Sequence, residues 1–78
     1  MNKNTDTTGE FNLSFRNAWY QMLNGKHVAL KSWGGYWAWE NNTIMMHTMD
    51  GEAIDIRETT NPAYTFSNIA ENHWGVVD

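Results

Sequence analysis

The sequence predicts an α+β domain, an N-terminal amphipathic helix packed on a small antiparallel β-sheet, with a short C-terminal helix and a closing strand. Three observations carry that expectation. Phe15, Ala18, Trp19, Met22 and Leu23 recur at the spacing of one helix face. From His27 the apolar period shortens to two, as in a half-buried strand. Turn-forming pairs then punctuate the chain at Gly34-Gly35, Asn41-Asn42 and Asp50-Gly51.

Each element follows in order. Residues 1–10 are Asn/Thr-rich and read as a flexible lead-in to a single domain over residues 11–78. A helix is expected over 14–24, with Ser14 as N-cap, Leu13 and Ala18 as a weak staple, and Gly25 as the left-handed stop. A short strand starts at His27, with Val28 and Leu30 on one face. Strands at 36–40 and 43–49 are joined by Asn41-Asn42, which tolerates positive φ. Asp50-Gly51 predicts a type I′ turn into a strand over 52–57, where Ala53 or Ile54 alternates with acidic neighbours. Residues 58–62 read as a polar loop, because Pro62 bars a central strand. A short helix is expected over 66–72 with Thr65 or Ser67 at its cap, then a strand over 73–77.

Composition narrows the function classes. With 78 residues, 41% hydrophobic and 18% charged, the chain should fold as one small domain. A domain near this size buries only about 60% of its unfolded surface, so a staple is expected. There is no cysteine, and His27, His47 and His73 lack metal-ligand spacing, which leaves self-association. A net charge of −4 argues against a basic nucleic-acid surface. No run approaches a membrane span, and the first residues lack a signal-peptide layout, so a cytosolic protein is expected. No catalytic set, cofactor motif or metal set emerges: His47 has no evident partner, and Asp55 and Glu58 need not face one another.

Five tryptophans, three tyrosines and three phenylalanines are a heavy aromatic load, and Trp33, Tyr36, Trp37 and Trp39 fall together. One small core cannot easily hide them all and satisfy every indole N–H, so some should line a pocket or an interface. An aromatic face stacks on a flat base with about 1–3 kcal/mol. Gly34-Gly35 permits close backbone approach, and N–H groups there suit a pyrophosphate. The structural alternative carries even weight: alternation along this strand packs one sheet face and exposes or oligomerises the other.

At fixed spacing, Phe15, Ala18, Trp19, Met22, Gly25, Val28, Leu30, Trp33 and Gly35 fall without a gap on one family's N-terminal signature. Thr65, Asn68, Ile69, His73, Trp74, Val76 and Val77 fall on its C-terminal signature, and Asp50-Gly51 matches its hairpin turn. The chain thus resembles the Thoeris anti-defence family of the second type, small phage proteins, over residues 15–77. It departs where Leu30 stands for an Arg, Thr65 for a Ser, Asn68 for an Asp and His73 for an Asp.

The resemblance implies a non-enzymatic sponge acting in the cytoplasm of the infected bacterial host. Such proteins bind glycocyclic ADP-ribose, the signal of the Thoeris TIR-domain protein, without degrading it. They assemble as homotetramers with ligand pockets at subunit interfaces, and some relatives also hold cyclic dinucleotides of the CBASS system. Residues 11–78 are then one ligand-sequestering domain. The candidate ligand residues are Trp33, Gly34, Gly35, Tyr36, Trp37, Trp39, Thr65, Asn68 and Arg57. Arg57, Lys26, Lys31 and Arg16 are the cations available to an anionic ligand, from one subunit or its neighbour. Thr65 and Asn68 offer groups suited to a base edge or ribose, although helix capping explains Thr65 equally well. Another class, a protein–protein module that inhibits a host defence protein through the aromatic patch, fits the same residues.

Overall fold

The computed structural model describes residues 11–31 and 33–77, and the lead-in expected over residues 1–10 lies outside them. Helix α1 spans Phe15–Leu23. The Ser14 hydroxyl accepts from the Asn17 N–H at 3.3 Å, satisfying one donor that the first turn leaves unpaired. At the other end Gly25 adopts φ 87°. Its N–H donates to Met22, and the Lys26 N–H donates to Gln21, so the last carbonyls are capped and the chain reverses.

Five strands follow: β1 (Val28–Leu30), β2 (Tyr36–Glu40), β3 (Thr43–His47), β4 (Ala53–Asp55) and β5 (Trp74–Val76). They form one antiparallel sheet in the order β4-β3-β2-β1-β5. The α+β architecture is therefore the one the sequence predicts. The chain meanders through β1 to β4, then crosses to the opposite edge to lay β5 against β1. Leu13 extends that edge by exchanging two 2.9 Å backbone bonds with Trp74.

The registers decide which side chains share a face. Val28 opposes both Trp37 and Val76, Trp37 opposes Met46, and Met46 opposes Ile54. Alternation then places Trp39, Ile44, Leu30 and Trp74 on the same inner face. Helix α1 covers part of it with Ala18 and Met22, both buried. Trp74 lies at the centre, fully buried, with Phe15, Trp33 and Trp37 rings 5.0–5.4 Å away or joined through it. Its indole N–H donates to the Asn68 carbonyl at 3.0 Å, which removes the penalty of burying it.

Two local expectations need correction. Asn41 and Asn42 do carry positive φ, 55° and 64°, as a two-residue hairpin requires. At the next turn only Gly51 does, at 89°. The Gly51 N–H donates to Thr48, and Thr48 pairs with Glu52, so three residues rather than two form the loop. The one-residue difference matters: a type I′ turn at Asp50-Gly51 would place Asp55 opposite Met46 and turn it inward. The observed loop turns Ile54 inward instead.

The second correction concerns the C-terminal helix. It spans Pro62–Ile69, four residues earlier at its start than expected, and is α2 here. The Asn61 side chain accepts from the Tyr64 N–H at 3.1 Å, and Pro62 takes the first helical position, where it has no N–H to waste. Thr65 is consequently a buried interior residue and not a cap; its hydroxyl donates to the Asn61 carbonyl. The strand expected over 52–57 also ends early, at Asp55, because Ile56–Glu58 form a 3-10 turn that takes its last two residues and the first of the polar loop expected over 58–62.

Candidate ligand pocket

Beyond the reach of α1 the inner face opens into a pocket of about 370 Å³. Its floor is the cross-strand row Trp37, Met46 and Ile54. Trp33 closes one side, and Tyr64, Thr65 and Thr59 close the side formed by α2 and the residues before it. Gly34, Gly35, His47, Thr48 and Met49 complete the wall at the end of β3. Tyr64 and Met49 stand at the mouth, 57% and 77% exposed.

Five of the nine candidate residues thus meet at one site: Trp33, Gly34, Gly35, Trp37 and Thr65. The other four lie elsewhere. Tyr36 points from the opposite sheet face, its ring stacked between His27 at 4.1 Å and His47 at 4.5 Å. Trp39 shares the inner face but meets Trp19 of α1 edge to face at 5.0 Å. Asn68 is buried behind the pocket, where its carbonyl serves Trp74. Among the described residues, its Nδ2 finds no hydrogen-bond partner.

Arg57 is held by Asp55. Its guanidinium donates to both carboxylate oxygens, Nη2 to Oδ2 at 2.6 Å and Nε to Oδ1 at 3.0 Å. The Arg57 N–H and the Thr43 hydroxyl add two bonds to Oδ1, each 2.9 Å. Hydrogen bonds from the Arg57 side chain first, then from its backbone N–H, hold the Asp55 carboxyl well below the usual carboxylate range. This knot fixes the turn after β4 on the face opposite the pocket.

The glycine pair has a structural task as well. A methyl at Gly35 would collide with the His47 carbonyl, and one at Gly34 would meet the Met49 sulfur at 2.5 Å. The close backbone approach that the pair permits is therefore made to the chain's own β3 end. Trp37 is likewise both wall and core, only 4% exposed and 5.0 Å from Trp74, so its removal cannot leave the fold intact.

Met46, His47, Thr48, Met49, Ile54, Thr59 and Tyr64 line the pocket without being among the candidates read from the sequence. The Asn41-Asn42 turn alone would have set Trp37 against Met46. Ile54 required the three-residue loop, and Tyr64 required reading Asn61-Pro62 as a helix start.

Chemically, the lining combines aromatic rings, thioethers, threonine hydroxyls and His47, with neither a carboxylate nor a Lys or Arg among the described residues that form it. His47, expected to lack a partner, has its Nε2 3.0 Å from Glu40 and its ring against Tyr36. Among the described residues no three His, Asp or Glu side chains are grouped to hold a metal ion, and no helix is long and apolar enough to cross a membrane. Comparisons with family models, curated proteins and solved structures returned no match.

Proposed function

We propose that the protein sequesters a nucleotide signal without breaking it, the signal being glycocyclic ADP-ribose of the Thoeris system. In this reading it is a phage anti-defence sponge in the cytoplasm of the infected host, and not an enzyme. The observation that carries it is the pocket, which combines aromatic rings for stacking with threonine hydroxyls for hydrogen bonding. The choice of ligand rests on the resemblance to the Thoeris anti-defence family that the motifs at Phe15 to Gly35 and Thr65 to Val77 carry.

Capture without turnover lowers the free signal only stoichiometrically, so the complex must be tight and slow to dissociate. Assembly into a homotetramer serves that need. Tyr20, Leu23, Met49 and Phe66 leave apolar surface for neighbouring copies, and a neighbour's Lys26 or Lys31 would face the phosphates. Binding of cyclic dinucleotides at a second site belongs to the same proposal.

The test is recovery. Protein is saturated with the signal, separated from free ligand and denatured by heat, and the supernatant is analysed by mass and by activation of the signal's effector. Intact ligand in a near-stoichiometric amount is expected; a hydrolysed or rearranged product sinks the sponge in favour of an enzyme. If no nucleotide is retained and a host defence protein copurifies through the aromatic surface, the interaction-module reading replaces both.

A further inference from the structure

We infer that this pocket grips the nucleobase of its ligand and, among its described lining residues, offers the phosphates no Lys or Arg, so that recognition within one subunit centres on an uncharged flat ring. The inference deepens the reading above and rests on the ligand being a nucleotide.

Size points the same way as chemistry. Sites for small ligands run from about 300 to 1,000 Å³, and about 370 Å³ lies at the low end, room for a base or nucleoside rather than a whole two-phosphate macrocycle. The walls that meet a ligand face are the Trp33, Trp37 and Tyr64 rings, with the Met46 and Met49 thioethers as adaptable packing.

A phosphate group in this space would be desolvated with no cationic side chain in the lining to replace its water. Arg16, Lys26, Lys31 and Arg57 are all absent from the described lining residues. Arg57 is committed to Asp55 and is not among the lining residues, and the His47 ring stacks on Tyr36 and meets Glu40.

The polar groups also set the selectivity. Thr48, Thr59 and Thr65 bring hydroxyls to the lining: those of Thr48 and Thr59 accept from the Glu52 and Asn61 N–H groups and keep a hydrogen to donate, while that of Thr65 donates to the Asn61 carbonyl and keeps a lone pair to accept. The Thr65–Thr59 contact, at 3.4 Å, is long enough to be exchanged for a base edge. Such a set reads the presence of a polar edge and not its donor–acceptor order, so adenine, hypoxanthine and guanine should be accepted alike.

Calorimetric titration of the full chain with adenosine, inosine, guanosine, ADP and inorganic pyrophosphate tests this at low and high salt. Adenosine and ADP are expected to bind within about threefold of each other, and the affinity for ADP should be nearly as insensitive to salt as that for uncharged adenosine. The three nucleosides should agree within about tenfold, and pyrophosphate alone should give no heat. Tyr64→Ala, at an exposed position whose backbone cap survives, should weaken adenosine about 5- to 150-fold at unchanged thermal stability.

ADP or pyrophosphate binding without adenosine, or a Kd that loosens steeply with salt, overturns the inference. If adenosine binds and glycocyclic ADP-ribose does not, the sponge reading falls while the base pocket stands. Tight binding of the cyclic signal that adenosine fails to displace gives the reverse, and silence from every ligand removes both.

Discussion

Under α1 the inner face of the sheet is closed by rings meeting edge to face, whereas beside α2 the same face stays open. Both halves start from an apolar sheet surface: Val28, Trp37, Trp39 and Trp74 in one, Met46 and Ile54 in the other. The helices differ. Helix α1 brings Phe15, Ala18, Trp19 and Met22 down onto the sheet, and Phe15–Trp37, Phe15–Trp74 and Trp19–Trp39 pairs fill the gap. Helix α2 turns Thr65 and Asn68 inward and leaves Tyr64 and Phe66 outside. This short helix packs Ile69 against the core but turns Thr65 and Asn68 inward beside it, and the volume left over the Met46–Ile54 floor is the pocket. One half is filled by packed rings and the other is left with a pocket.

The sharpest way to break that division is Trp74→Ala in the closed half. A buried tryptophan costs about 3–5 kcal/mol when truncated, most of the stability of a chain this small. Urea unfolding should show it; a loss under about 1 kcal/mol would mean the rings are not what closes this half.

Next comes Gly35→Ala, at the seam between the halves, where the added methyl meets the His47 carbonyl. Backbone must shift, and a loss of about 1–3 kcal/mol is expected. A variant as stable as the parent would show that the β2–β3 junction yields freely.

Asn68→Leu tests the boundary from the other side. It removes a buried Nδ2 that has no partner and retains the backbone carbonyl that receives the Trp74 N–H. Thermal melts should show a gain of about 1 kcal/mol. Nucleotide binding should persist; its loss would move Asn68 from the core into the site.

The smallest effect belongs to the Asp55–Arg57 knot. The folded state holds the Asp55 carboxyl below its unfolded range, so its contribution is complete above about pH 4 and fades as pH falls further. Because Arg57 is exposed, solvent screening keeps it small. Asp55→Asn should flatten the acid limb of stability against pH and leave neutral-pH binding unchanged. An acid limb identical to the parent's would assign acid sensitivity to other carboxylates.

Much of this fold was legible because its signals are local. Ser14, the Phe15-to-Leu23 stripe and Gly25 act through neighbours three to five residues away, so helix and caps can be read directly. Asn41 and Asn42 announce their turn in the same way. The misreadings also have local causes. Asp50-Gly51 satisfies the composition of a two-residue turn, yet the Thr48–Gly51 bond selects a three-residue loop. Asn61-Pro62 carries two signals at once, a bar to a central strand and a favourable helix start, and the chain follows the second.

What the sequence by itself determined is the set of elements and their apolar faces, because periodicity and capping are decided within a few residues. The tertiary structure alone decided which rings became core and which became wall. Trp33, Tyr36, Trp37 and Trp39 look equivalent along the chain, but pleat and register send Tyr36 to the outer face, Trp39 under α1, and Trp33 and Trp37 to the pocket. It also decided that Arg57 would be spent on Asp55. Such outcomes depend on what lies across the sheet, and a one-residue change of loop length reverses them for every side chain in a strand.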